Sequence, residues 1–249
     1  LTTRIAEFAK FLLEIGDGVY PSDDKDMPEF IDLPTSIITE TDIITEIYGK
    51  DIASSCSNVD FTNCAILAPK NEHCKEINDK IVELLPGDSK TYFSVNSGLP
   101  PHKLTLKEGI IVMLLRNLNV SKGLLNGTRL IVRKLYENCL DLQVISGEKA
   151  GERILLPRID LSPADSSLPF SFKRRQFPIR IAFCMTINKA QGQTLKRVGI
   201  YLPQPVFSHG QLYVDRSSAL PLADRLCRCW VSHTGAPRCH GKVCSDHPK

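Results

Sequence analysis

Cys64-Ala-Ile-Leu-Ala-Pro-Lys-Asn71 decides the fold class, because the chain changes periodicity within it. Cys64 to Ala68 is a short apolar run of strand length, Pro69 breaks it, and Asn71 stands where a helix N-cap belongs. Ile77, Ile81, Leu84 and Leu85 then recur at helical spacing up to Gly87. A strand delivered directly into a helix is the opening of a βαβ unit, so this stretch predicts a parallel α/β sheet.

Upstream of it, Glu7 to Ile15 places Phe8, Leu12 and Ile15 on one helical face and stops at Gly16 and Gly18. A Pro- and Asp-rich loop follows, and Ser36 to Tyr48 reads as a second helix closed by Gly49. Downstream, turn signals arrive every ten residues or so. Gly109 to Leu115, Thr128 to Leu135, Cys139 to Ser146 and Arg153 to Leu156 are predicted strands of a small β-rich subdomain. Asn126-Gly127, Glu137-Asn138 and the loop from Gly147 to Gly151 separate them. After Pro169 the α/β style resumes, with a strand over Ile179 to Ile187 and a loop entering a helical turn over Lys189 to Thr194. A further strand is predicted over Val198 to Leu202, and a helix start over Ser208 to Val214.

With 249 residues, 42% of them hydrophobic and 24% charged, the chain is long enough for a core and has ordinary globular usage. Disordered, collagen-like and coiled-coil classes fit poorly, and no apolar run is long enough for a transmembrane helix. The acidic start does not read as a signal peptide, and Leu1 so close to the first helical pattern reads as the start of a fragment. Five of the nine cysteines, Cys56, Cys64, Cys74, Cys139 and Cys184, sit among apolar neighbours, which favours a reducing compartment.

The net charge of +3 conceals a strong asymmetry. Residues 1–60 hold four Lys/Arg against thirteen Asp/Glu, and residues 61–214 hold twenty-one against twelve. Between Ser166 and Val214 there is no acidic residue, while Lys173, Arg174, Arg175, Arg180, Lys189, Lys196 and Arg197 fall there. Such a stretch is either a solvated face or the footprint of a polyanion.

The chain contains no G-x-x-x-x-G-K-[ST] loop and no Asp-Glu dipeptide, so it lacks the usual means of holding a triphosphate and its Mg²⁺. G-x-G-x-x-G, H-E-x-x-H and G-x-S-x-G are absent as well, and no catalytic residue is assigned. His102 and His209 have no carboxylate partner nearby in sequence and read as structural.

Seven blocks together carry a resemblance. They are Glu7-Phe-Ala-Lys-Phe-Leu-Leu-Glu-Ile-Gly-Asp-Gly18, Ala65-Ile-Leu-Ala-Pro-Lys-Asn71, Ser97-Gly-Leu-Pro-Pro-His102, Leu114-Leu-Arg-Asn-Leu118, Gly123-Leu-Leu-Asn-Gly-Thr-Arg129, Thr186-Ile-Asn-Lys-Ala-Gln-Gly-Gln-Thr194 and Val206-Phe-Ser-His-Gly-Gln-Leu-Tyr-Val214. In order and spacing they resemble the C-terminal part of the eukaryotic Pif-type DNA helicases, including the helicase portion of Helitron-like elements.

The resemblance implies an α/β chain that is the second RecA-like domain of a superfamily-one helicase with an inserted small β-barrel. Its implied segments are 1–60, incoming helices and an acidic linker; 61–108, the first part of the RecA-like domain; and 109–165, the barrel. Residues 166–214 would be the remainder of the RecA-like domain, and 215–249 a divergent, disordered Cys-rich tail. The implied function is the DNA-tracking half of a 5′-to-3′ ATP-dependent helicase of repair, recombination or telomere maintenance, in the nucleus or mitochondrion. The implied partners are single-stranded DNA and a first RecA-like domain missing from this chain, with no membrane. ATP and Mg²⁺ would serve the intact family member, and neither is expected to bind tightly here.

Carried over by the same resemblance, Gln191, Gly192 and Gln193 couple to the nucleotide cleft, while Thr186, Lys189 and Thr194 meet DNA; Arg116, Asn117, Arg174 and Arg175 are further expected DNA contacts, the last two equally readable as a surface pair. Glycine permits close backbone approach, amides bond phosphate oxygens, and lysine or arginine supplies charge.

Departures are equally specific. The chain is short between Ser94 and Ser97, and the arginine that acts on the γ-phosphate in the family is replaced by Ser218, with Arg216 two residues too early. An arginine finger contributes a factor of about 10³ or more to phosphoryl transfer, so this chain is expected to be inactive as an ATPase alone. The tail holds Cys227, Cys229, Cys239, His240, Cys244 and His247 at a spacing that matches no standard zinc finger, and no metal site is assigned. The alternative reading is a non-enzymatic nucleic-acid-binding module with a zinc-ordered tail.

Overall fold

In the computed structural model the described residues are 30–32, 38–39, 41–49, 61–94, 103–145, 147, 149–161, 174–190, 193, 195–203, 226–231 and 238–240, with 10, 14 and 52 singly. Their elements are, in chain order, β1 (Phe30–Asp32), α1 (Ile43–Tyr48), a 3-10 turn (Phe61–Asn63), β2 (Cys64–Ala68), α2 (Asn71–Leu84), β3 (Lys90–Phe93), β4 (Lys103–Leu106) and β5 (Ile111–Leu114). There follow β6 (Arg129–Leu135), β7 (Cys139–Val144), β8 (Arg153–Pro157), β9 (Ile159–Leu161), β10 (Arg174–Gln176) and β11 (Ile179–Ile181). The last are β12 (Cys184–Thr186), α3 (Ile187–Ala190), β13 (Arg197–Leu202), β14 (Leu226–Val231) and β15 (Arg238–His240). None of the described helices is long and apolar enough to cross a membrane. The chain divides into two compact units, one of Leu1–Ile52, Asn63–Ile77 and Cys184–Lys249, the other of Ala53–Thr62 and Asn78–Phe183.

The first unit is built on a parallel sheet in the order β12-β2-β13-β14. All five residues of β2 are buried, as befits a parallel strand covered on both faces. Register is set by Cys184 opposite Ile66 and Thr186 opposite Ala68 on one side of β2, and by Arg197 opposite Cys64 on the other. The strand-to-helix unit expected from Cys64 onward is therefore present, with α2 beginning at Asn71.

Helix α1 buries Ile43, Ile44, Ile47 and Tyr48. It starts later than the Ser36 expected from periodicity, because the Asp42 carboxylate accepts the Thr45 N–H at 3.0 Å and caps the helix there. Gly49 closes it by donating to the Thr45 carbonyl at 2.9 Å. The Arg197 guanidinium donates to the Ile47 carbonyl at 3.2 Å, satisfying one of the helix's terminal acceptors.

The second unit centres on an antiparallel sheet in the order β11-β5-β6-β7-β8. β7 shows the alternation of a sheet with one covered face: Leu140, Leu142 and Val144 are buried while Cys139, Asp141 and Gln143 are half-buried. A bulge between Val132 and Lys134 shifts its register with β6. Two short ladders, β3 with β4 and β9 with β10, complete the described strands.

Three expectations are corrected. The apolar run over Ile179 to Ile187 is not one strand: β11 pairs antiparallel with β5, Ala182 and Phe183 are fully buried, and β12 restarts in parallel with β2. Arg174–Ile181, expected with the remainder of the RecA-like domain, consequently lies in the same unit as β5 to β8. The expectation of a disordered tail does not hold for its described residues, which form two strands. Leu226–Val231 runs parallel to β13 along its whole length, from Leu226 opposite Arg197 to Val231 opposite Leu202, and Arg238–His240 pairs with β1. Trp230 and Val231 are residues of high strand propensity. The helices expected over Glu7 to Ile15 and from Ser208 fall largely or wholly outside the described residues, with Lys10 and Glu14 forming an i,i+4 ion pair of 3.7 Å.

Candidate nucleic-acid interface

Thr186 is the last residue of β12, level with Ala68 at the carboxyl end of β2, and α3 begins at the next residue. Ligands of open α/β sheets bind at this carboxyl edge. Ile187 and Ala190 are buried and anchor α3, leaving Asn188 exposed and Lys189 half-buried on the other side of the turn. Gln193 folds back onto this turn, its N–H donating to the Ala190 carbonyl at 3.0 Å and its side-chain amide to the Lys189 carbonyl at 3.2 Å. Thr186, Lys189 and Gln193 thus share one strand–helix–loop segment, while Gln191, Gly192 and Thr194 lie outside the described residues.

At the same end of the sheet, His73 in the first turn of α2 meets the Tyr201 ring of β13 edge to face, with centroids 6.0 Å apart. Their role is packing of α2 on the sheet.

The remaining predicted DNA contacts sit in the second unit. Arg116 and Asn117 are exposed and open the loop between β5 and β6. This loop holds its own shape: the Asn117 side-chain oxygen Oδ1 accepts the Asn126 N–H at 2.7 Å, and Oδ1 of Asn119 accepts from the Ser121 hydroxyl and the Lys122 N–H. Leu118 and Leu124 are joined by a 2.9 Å main-chain bond. Gly127, with φ of 91°, turns the chain back so that its N–H reaches the Leu114 carbonyl. Asn117 therefore has a structural task beside the one expected of it. Arg174 is half-buried and Arg175 exposed on β10, opposite Leu161 and Asp160.

Sequence reading missed a polar and aromatic cluster between β3, the β6–β7 turn and the β8–β9 junction. The Arg158 guanidinium lies 5.4 Å from the ring centroids of both Tyr92 and Phe177. Its two terminal nitrogens donate to the carbonyls of Phe93 and Glu137, each at 3.3 Å. The Tyr92 hydroxyl donates to the Tyr136 carbonyl at 2.7 Å, and buried Gln176 donates to the Tyr92 carbonyl at 3.0 Å. Burial, reinforced by the Glu137 carboxylate, pushes the Tyr92 phenol up to about 12, with Arg158 acting in the opposite sense. The exposed Glu137 carboxyl is held below its ordinary value by the hydrogen bond and charge of Lys90, whose ammonium lies 2.6 Å away. Only the alternation around Tyr92 hints at this cluster in sequence, because its members come from separate strands.

The β2–α2 connection is Pro69-Lys70, without the glycines that let backbone amides wrap a phosphate, and no group of three or more His, Cys, Asp or Glu among the described residues could hold a metal ion. Gln191 and Gly192, two of the residues expected to face a nucleotide, lie outside the described residues. Ser218, Arg216, Cys244 and His247 lie outside the described residues.

A family model described as the 2B domain of DNA helicase Pif1 matches residues 94–135, which run from the end of β3 to the end of β6. ATP-dependent DNA helicase PIF1 of Xenopus laevis is 33% identical over 153 residues, covering 57% of this chain and 24% of that protein. Human ATP-dependent DNA helicase PIF1 is 39% identical over 120 residues, covering 48% of this chain and 18% of that protein. Among solved structures, Pif1 helicase from Candida albicans superposes with a TM-score of 0.62 at 19% identity, over 93% of this chain and 54% of that one. Bacteroides Pif1 bound to ssDNA gives 0.61 at 24% identity, over 91% and 48%. The chain spans about a quarter or less of the length of these curated relatives and about half of the solved ones. In sequence the chain is similar to part of the Pif1-type helicases, and its fold is that of the solved Pif1 structures.

Proposed function

We propose that this chain is the DNA-tracking half of an ATP-dependent 5′-to-3′ DNA helicase. In this reading the parallel-sheet unit is the second RecA-like domain and the antiparallel unit its inserted barrel-type subdomain. The observation that carries it is the β12–α3 junction, where Thr186 ends a strand at the carboxyl edge of the parallel sheet and Lys189 follows in the next turn. There a hydroxyl, an ammonium and the Gln193 amide are grouped along one segment, the donor set that positions a phosphodiester backbone. Arg116, Asn117, Arg174 and Arg175 contribute further phosphate contacts from the second unit. Gln191, Gly192 and Gln193 would couple DNA to a nucleotide held mainly by a first RecA-like domain.

Since this chain has no phosphate loop, it binds single-stranded DNA without turning over ATP. Repair, recombination and telomere maintenance are the processes in which the intact protein would act. The test is paired: fluorescence anisotropy with an oligothymidylate, and phosphate release with and without that DNA. Lys189→Glu should weaken binding several-fold by reversing one charge at the backbone. Unchanged binding in that variant, or DNA-stimulated hydrolysis by the chain alone, contradicts the reading.

A further inference from the structure

Two of the large apolar side chains most open to solvent are aromatic, and both belong to segments tied by one guanidinium. Phe93 is 54% exposed at the end of β3, and Tyr136 is 45% exposed at the start of the β6–β7 turn. Arg158 bonds the carbonyl of Phe93 and that of Glu137, the residue after Tyr136, while Tyr92 bonds the carbonyl of Tyr136 itself. The two ring-bearing segments are therefore held within the reach of one side chain, from beneath, by buried Tyr92 and half-buried Arg158.

Neither ring is needed to close the core, which Tyr92 and Phe177 fill in edge-to-face contact at 5.1 Å. The surrounding charge is cationic. Exposed Lys103 stands opposite Phe93 in the β3–β4 ladder, exposed Lys134 precedes Tyr136 by two residues, and Arg158 lies below. Of the acids, Glu137 is paired with Lys90, and Asp141, opposite Lys134, is paired with Arg153. Two exposed aromatic rings on segments tied together by Arg158 and Tyr92, with exposed Lys103 and Lys134 as neighbours, are the elements of a stacking platform for unpaired bases.

We propose that Phe93 and Tyr136 form a base-stacking surface for single-stranded nucleic acid on the antiparallel unit. The inference deepens the reading above, and adds ring contacts to a set of residues that otherwise binds only the sugar–phosphate backbone. Duplex DNA, whose bases are already stacked, is not its ligand.

The test compares the full chain with Phe93→Ala, Tyr136→Ala and the double variant, using an oligothymidylate and an abasic oligonucleotide of equal length in anisotropy titrations. Both side chains are exposed, so the variants should keep the wild-type circular dichroism and melting temperature. Each single variant should lose about fivefold or more in affinity for the oligothymidylate and nothing for the abasic strand. Phe93→Trp should retain binding, and Leu155→Ala, an exposed apolar change on β8, should leave it untouched. Equal affinity of the double variant and wild type for the oligothymidylate overturns the platform while leaving the phosphate-binding reading standing. An equal loss on the abasic strand also overturns the platform. Failure of the wild-type chain to bind either strand at low salt overturns both.

Discussion

A Cβ placed on Gly199 of β13 would lie 2.6 Å from Cγ1 of Ile47 and 3.1 Å from two atoms of Ile43. Helix α1 rests directly on the strand backbone at that point, and glycine is required there for space. The helix is only six residues long, so this contact, the Asp42 cap and the Arg197 bond to the Ile47 carbonyl are what hold it. Gly199→Ala should therefore destabilise the parallel-sheet unit by about 1–3 kcal/mol, the usual cost of overpacking. Urea unfolding followed by far-UV circular dichroism checks it, and a variant as stable as wild type would show that α1 does not pack as described.

Arg158 should be a stability determinant of the antiparallel unit. Its guanidinium serves two carbonyls and two aromatic faces, and Arg158→Ala removes all four interactions while leaving the Phe93 and Glu137 carbonyls to find other partners. A loss of about 2–4 kcal/mol is expected from the charged hydrogen bonds and cation–π contacts together. Arg158→Lys, which keeps the charge and loses the fork, should fall between the two in denaturant unfolding.

Burial makes Tyr92 a weaker acid in the folded chain than in the unfolded one. The folded chain holds the phenol's proton more tightly than the unfolded chain does, so above the ordinary tyrosine value the unfolded state carries fewer protons and stability falls with rising pH. The contribution is complete below pH 10 and is lost progressively as the pH rises from about 10 to about 12. Unfolding curves at a series of alkaline pH values should show this decline in the wild type and a shallower one in Tyr92→Phe.

Asn117 separates structural from binding effects. Asn117→Asp keeps an oxygen that can accept the Asn126 N–H, so the loop should survive. A new negative charge beside Arg116 should nonetheless weaken single-stranded DNA binding, by several-fold at low salt and less at high salt. Anisotropy titrations at two salt concentrations distinguish this from a variant that has simply lost its loop, which would melt earlier.

The parts of the fold legible in sequence were those where period and punctuation agree. β2 and α2 were readable because an apolar run, Pro69 and Asn71 follow one another, and β5 to β8 because turn residues separate alternating runs. The division of residues 179–187 was not readable, since Ala182 and Phe183 are as apolar as their neighbours and only pairing partners show that β11 and β12 serve different sheets. β14 is not legible in sequence because Cys227 and Cys229 alternate with Arg228 in a pattern that reads as readily as metal spacing as it does as a strand. At the site, Thr186, Lys189 and Gln193 came from family resemblance, and the structure places them in one segment. The Tyr92, Arg158 and Phe177 cluster could not have been found that way, because its members are brought together only by strand pairing.

The central claim, that this chain tracks single-stranded DNA through its phosphates, is tested most directly by the salt dependence of its affinity for an oligothymidylate. With about three to five phosphates neutralised, log K should fall linearly with log salt at a slope of about −2 to −3.5. That corresponds to a loss of about 20- to 100-fold between roughly 50 and 200 mM salt. Binding that does not change across that range, or no binding at its lower end, would contradict the account.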